Sequence, residues 1–209
     1  MSAEAMPEPV VAVEEWRPAG AGVDRDVEML AAVLHAVVLG GAGVSFFVPF
    51  STSDAAAFWR EQVLPGVFAG TRRVLVARHG DRIIGTVQID LATPPNQAHR
   101  ADVLKLLVHP DARRHGIARA LMTRVEALAR ESGKTLLTLD TVTGGQAEPL
   151  YQSLGYVTIG VIPGYARGSL TPDLEAATFM YKELPPATHQ SVEPGLPPSP
   201  RLRRDPPSL

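Results

Sequence analysis

The stretch VLKLLVHPDARRHGIARALM, Val103 to Met122, decides the architecture. Its first part extends the β-rich run DVLKLLV, Asp102 to Val108, which reads as a strand. A turn containing Pro110 follows, and then apolar residues recur at helical spacing to about Arg130. Between strand and helix lies Arg113-x-x-Gly116-x-Ala118. The first backbone N–H groups of a helix have no intrahelical acceptor, so at such a junction they converge on the turn. The helix dipole adds partial positive charge there, which makes the junction an anion site. Gly116 lets a phosphate approach with no Cβ in the way, and Arg113, Arg114 and Arg119 supply neutralising charge. A helix start with a few solvated arginines would read the same way by itself.

Working outward, Ser132-Gly133 ends the helix and TLLTLDT forms the next strand. Strand, helix and strand imply a right-handed parallel crossover. A short helix from about Gln146 to Leu154, and strands near Tyr156 to Val161 and Ala176 to Leu184, complete a mixed α/β sheet. Upstream, RVLVARHG and DRIIGTVQIDLA meet at His79-Gly80-Asp81 as a hairpin. Before them come a first strand, VVAVEEW from Val10 to Trp16, and two helices. Asp24 is expected to cap the first helix, which the Gly40-Gly41 pair ends. Ser53 or Asp54 is expected to cap the second, with Pro65-Gly66 as its stop. The domain therefore runs from 10 to 184. Residues 1–9 and the tail from 185 to 209, in which eight of twenty-five residues are proline, are expected to be disordered.

A net charge of -2 and a pI near 6.3 argue against nucleic acid and membrane surfaces as main partners. The chain has no cysteine, so disulfides, thiolate nucleophiles and Cys-ligated metals are excluded. Met29 to Phe50 carries no formal charge, but His35, three glycines and Pro49 interrupt it, and it reads as a helix and a loop rather than a membrane span. No signal-peptide pattern opens the chain, and a cytoplasmic location is expected. The six histidines are scattered without metal-ligand spacing, so no metal is expected.

The run Val108-His109-Pro110-Asp111-Ala112-Arg113-Arg114-His115-Gly116-Ile117-Ala118 resembles the acetyl-CoA motif of the GNAT superfamily of N-acetyltransferases, V-x-P-x-x-R/Q-x-x-G-x-G/A. Ala147-Glu148-Pro149-Leu150-Tyr151-Gln152-Ser153-Leu154-Gly155-Tyr156 resembles the second motif of that family and follows in the right order. With GGAGVSFFVP, LTLDT and VIPGYA, the chain is similar to the subgroup of small-molecule acetyltransferases that includes the tabtoxin resistance protein. The resemblance implies a GNAT fold, in which helices flank a mixed sheet whose parallel central strands splay apart. It implies acetyl-CoA as co-substrate, held along Leu106, Leu107 and Val108 and at the turn formed by Arg113, Arg114, His115, Gly116, Ile117, Ala118 and Arg119, with Ala147 and Tyr151 beside it. The backbone N–H of Val108 would hold the thioester carbonyl oxygen, and Tyr151 would be the general acid for the leaving thiolate. Gly144 departs from the superfamily pattern, where an Asn often stands three residues before the Ala.

An attacking amine must lose its proton, so a carboxylate is expected nearby. Asp102 and Asp140, each in an otherwise apolar strand segment, are the two candidates for this role or for holding the substrate ammonium. Strict alternation sets Lys105 on the face opposite Asp102, as a solvated or helix-covered lysine in preference to one with a substrate role. His109 and His115 are expected to position the turn. The acceptor is then a primary amine on a small amino-acid-like or antibiotic-like molecule, and the apolar loop GGAGVSFFVP would restrict entry to it. A protein N-terminal or lysine acetyltransferase, and a silent acyl-CoA-binding module, remain open alternatives. The sequence leaves the oligomeric state undetermined.

Overall fold

The computed structural model describes residues 11–185. The expectations for residues 1–9 and for the Pro-rich tail beyond 185 fall outside the described residues. Strand β1 (Val11–Glu15) leads to helix α1 (Gly22–Leu39), then to α2 (Thr52–Ala57), a π-helical turn over Phe58–Val63, and α3 (Leu64–Phe68). Strands β2 (Arg72–His79) and β3 (Arg82–Asp90) form the expected hairpin, with Gly80 at φ 59° in its turn. Strand β4 (Arg100–Val108), helix α4 (Ile117–Glu131) and strand β5 (Leu136–Val142) make the crossover. Helix α5 (Glu148–Ser153) and the hairpin of β6 (Val157–Arg167) and β7 (Leu174–Glu183) follow. The sheet order is β1-β2-β3-β4-β5-β7-β6, antiparallel except for the β4/β5 pair.

Alternating side chains of the strands feed two cores. On one face Ile117, Leu121, Met122, Val125 and Leu128 of α4 pack against Leu75, Ala77, Ala101, Val103, Leu137 and Leu139. On the other, α1 buries Val27, Leu30, Leu34 and Val38 with Phe58, Trp59, Val74 and Val76. The uncharged stretch from Met29 is thus the C-terminal part of α1, largely buried, and the loop after it, and among the described residues no helix is long and apolar enough to cross a membrane. Glu15 joins β1 to β2 through a two-bond pair with Arg73 (2.7 and 2.8 Å), and Arg73 also donates to Ser132 at the end of α4 (2.8 Å).

Several local expectations are corrected. Asp24 lies within the first turn of α1, which has no side-chain cap, and accepts from Arg60 instead. Ser51 caps α2 in a reciprocal capping box with Asp54. Pro65 does not stop the second helix, because the π-helical turn restarts the ladder and Pro65 falls in the first turn of α3, where its missing N–H costs nothing. Strand β6 runs beyond Val161, past Pro163 and Gly164, which lie in a bulge between Ile162 and Ala166. As the sheet's outer strand it tolerates a residue without a donor. Lys105 is not opposite Asp102. It has φ 51°, and the β3/β4 register shifts between Thr86 and Gln88, so that Lys105 and Leu106 together oppose Val87. This bulge reverses the alternation, and Lys105 reaches the same core face as Asp102.

Candidate active site

The parallel pair is hydrogen-bonded only at its root, in the registers Arg100↔Leu136, Ala101↔Leu137 and Asp102↔Thr138. Beyond that point β4 stays with β3 as far as Gly85↔Val108, while β5 stays with β7 as far as Val142↔Ala177. A gap opens between them. The bulge at Lys105 and Leu106 supplies the local twist that turns the end of β4 away from β5. His109 donates to Ile84 on β3 (2.9 Å), so by alternation the N–H and carbonyl of Val108 point into the gap. The Val108 carbonyl accepts from Nε of Arg113 at 3.4 Å. Leu106 and Val108 are half-buried at this open edge, whereas Leu107 is buried in the second core with β3 opposite it.

After β4 the chain turns through His109, whose Nδ1 accepts from Asp111 N–H at 3.4 Å. Arg114 (φ 69°) and Gly116 (φ 76°) both take left-handed backbone, and α4 begins directly after Gly116. A Cβ at Gly116 would meet nothing within 4 Å, so the glycine serves the backbone conformation and leaves an open approach. Helix α4 has no side-chain cap and no acidic residue in its first turn, and its first backbone bond runs from Ala120 to Gly116 (3.0 Å). The N–H groups of Ile117, Ala118 and Arg119 therefore have no helical acceptor and face the turn. Arg113 is half-buried there, and Arg114 and His115 are exposed. Arg119, in the first turn of α4, donates from its guanidinium to Ser153 Oγ on α5 at 2.8 Å.

Across the gap, β5 passes into α5 through Gly144, whose φ of 71° suits glycine and whose N–H donates to the Glu148 carboxylate at 2.7 Å. Ala147 directly precedes α5. Tyr151 is buried in the first core, its ring 5.7 Å from that of Tyr156. Burial, reinforced by the Asp140 carboxylate, holds its hydroxyl well above the ordinary phenol range, so it stays protonated. Asp140 is exposed on the opposite sheet face, because Leu137 and Leu139 take the first core.

That opposite face holds the remaining groups. Asp102 is engaged through Oδ1 by both Arg100 and Thr138. A cavity of about 270 Å³ at the root of the gap is lined by Asp102, Leu104, Thr138, Asp140 and Phe179 among others. Lys105 extends under the loop between α1 and α2, where Nζ donates to Ser45 Oγ (3.0 Å) and lies 5.8 and 6.0 Å from the rings of Phe46 and Phe58. Burial pushes the Lys105 ammonium below its ordinary range, with Asp140 opposing and Arg72 adding to the shift. The loop is tied across the gap: Gly43 packs on Val142 with no room for a Cβ, and Val48 donates to the Ser169 carbonyl at 3.0 Å. Sequence reasoning ranks a substrate role for Lys105 below that of a solvated or helix-covered lysine and takes Ser45 and Phe46 only as part of the entry loop. The available signal was the three-residue spacing of Asp102 and Lys105, which places two polar side chains on one strand face only if a bulge intervenes.

A larger cavity, about 570 Å³, lies at the far end of the sheet beside Glu15, Arg72 and Arg73. Its charges are already paired, Glu15 with Arg73 and Arg72 with Asp90 (2.7 Å), and it shares no lining residue with the cavity at the gap. Among the described residues no group of three His, Asp or Glu side chains could hold a metal ion.

Residues 70–158 match the acetyltransferase (GNAT) domain family. The chain is 32% identical over 115 residues to an uncharacterized N-acetyltransferase in the hisH–hisA intergenic region of Azospirillum brasilense, covering 54% of this chain and 66% of that one. It is 34% identical over 87 residues to human N-acetyltransferase 8, covering 41% and 38%. The chain thus spans less than two thirds of the length of these curated relatives. Its fold is similar to that of yncA from Salmonella typhimurium, solved with its cofactor acetyl-CoA, at a TM-score of 0.67 and 19% identity over 84% of this chain and 94% of that one.

Proposed function

We propose, from the premise that the chain carries an acetyltransferase domain of the GNAT fold, that it moves an acetyl group from acetyl-CoA to the primary amine of a small amino-acid-like or antibiotic-like molecule. The observation that carries this reading is the gap, a parallel strand pair bonded over three residues and then parted, with helix N–H groups free of helical acceptors after one strand and, after the other, a buried tyrosine whose hydroxyl stays protonated.

The residues present fit the co-substrate. The free N–H groups of Ile117, Ala118 and Arg119, with Gly116 leaving the approach open and Arg113 and Arg114 nearby, suit a pyrophosphate. The open edge of Leu106 and Val108 suits the amide groups of a pantetheine arm, as an added strand would be held. Acetyl-CoA supplies a thioester carbonyl and a thiolate leaving group. The Val108 N–H stabilises the oxyanion. Asp140 is the better proton acceptor of the two aspartates, directly or through water, because it is exposed at the cavity and forms no ion pair among the described residues, whereas Asp102 is bonded to Arg100 and Thr138. Tyr151 donates its proton to the departing sulfur, a task that needs the hydroxyl protonated and within reach. The loop tied over the acceptor face favours a small acceptor over a peptide in an open groove.

An amine library incubated with acetyl-CoA, read by release of free CoA, tests the reading. Turnover is expected with a subset of small primary amines. Tight acetyl-CoA binding without turnover on any amine or peptide would instead mark a non-catalytic binding module.

A further inference from the structure

Lys105 combines three features that an ordinary strand lysine lacks. It occupies left-handed backbone (φ 51°), and the hydroxyl it meets belongs to Ser45, which is also left-handed (φ 74°). Non-glycine residues in this region are strained and persist where the surroundings over-determine them. Its Nζ lies against the Phe46 and Phe58 rings with one neutral oxygen as hydrogen-bond partner, and among the described residues it forms no ion pair. The fold thus holds a partly buried cation, through two strained residues, on the face of the gap where the acceptor would enter. On the same face Asp140 is exposed, also without an ion pair among the described residues, and its charge is felt at Lys105. A cation and an anion on one face of the gap, the second felt electrostatically at the first, complement a zwitterion.

We propose that Lys105, seated by Ser45, binds a carboxylate of the acceptor, so that the substrate is an amino acid or a close analogue rather than a simple amine. This deepens the reading above and rests on it. The ammonium donates to the carboxylate oxygens, exchanging one neutral partner for a charged one in a desolvated setting where such bonds are strongest. The substrate amine then lies on the Asp140 side of the cavity, next to the parted strands. Lys105 acts on recognition and takes no part in the acetyl transfer itself.

The test compares acetyl transfer to proteinogenic α-amino acids, glycine, β-alanine and longer ω-amino acids, each beside its primary amide and its decarboxylated amine. Wild-type protein is expected to prefer the acids. Lys105→Met should raise KM for the preferred acid by about 10–100-fold, with kcat reduced little, and should leave kcat/KM for the matching amide and amine within about twofold. Lys105→Arg should recover part of the loss. Equal losses on acid, amide and amine would overturn the proposal and mark Lys105 as structural or as part of the proton path. Wild-type turnover on amines with no preference for the acid would overturn it while leaving acetyl transfer standing. Absence of turnover on every compound, with acetyl-CoA still bound, would remove the parent reading and this one together.

Discussion

At the scale of single residues, the proposed chemistry turns on one hydroxyl and one hydrogen atom in place of a Cβ. Tyr151→Phe keeps the ring that packs on Tyr156 and removes only the proton. In steady-state kinetics kcat should fall by about 10²–10⁴, with acetyl-CoA affinity nearly unchanged, since the hydroxyl matters in the transition state more than in the ground state. Unaltered kcat under conditions where chemistry limits the rate would make Tyr151 a packing residue. Gly116 carries the other argument. Its φ of 76° penalises any side chain, and the space above it is where a phosphate would lie. Gly116→Glu adds a like charge as well as backbone strain, so calorimetry should find CoA binding weakened far more than by Arg114→Ala, which removes an exposed charge. Equal effects would mean that side-chain charge, and not the backbone, holds the anion.

Among the elements, the clearest tie is Glu15 to Arg73, joining the outer strand β1 to β2 and, through Ser132, to the end of α4. The hydrogen bonds from Arg73 hold the Glu15 carboxyl below its usual range, against the opposing effect of burial and with help from Arg17. A folded-state pKa below the unfolded one gives stability that is present at pH values above the ordinary carboxylate range and is lost as pH falls through the lowered value. Glu15→Gln should therefore lower Tm at neutral pH by about 2–4 °C, the shift expected for a partly exposed pair worth about 1 kcal/mol. The difference from wild type should shrink in acid, and thermal scans from pH 7 down to pH 3 would show it. A difference independent of pH would assign the loss to packing. The elements were legible in the sequence wherever local chemistry dictated them: the Gly80 hairpin, the helix opening after Gly116, the return of the strand after Ser132-Gly133. Legibility failed where a residue's preference depended on a partner distant in sequence. Pro65 looks like a stop until the π-helical turn puts it at a helix start, and Pro163 looks like a strand end until the sheet order puts β6 on the outside. Lys105 was misassigned because strict alternation held only up to a bulge defined by β3.

Across the whole molecule, the sheet separates two tasks. The α4 face presents the turn that suits the phosphates, while the α1 face, with its aromatic second core, bounds the side from which an acceptor would enter. The two meet only at the gap. Phe46 belongs to the second face alone, its ring tilted against Phe50 at 4.7 Å and edge-on to Phe58 at 5.2 Å, with Lys105 Nζ over its ring. Phe46 is also partly exposed, so its loss should be tolerated by the fold better than loss of the fully buried Trp59 in the same core. Phe46→Ala should accordingly loosen the seat of Lys105 and raise the acceptor KM by about tenfold, the scale of a lost cation–π contact together with its apolar packing. The acetyl-CoA dissociation constant, measured separately by calorimetry, should stay within about twofold of wild type. If CoA affinity fell in step with acceptor KM, the two faces would be mechanically coupled through β4, and the bulge at Lys105 and Leu106 would be the element that transmits the change.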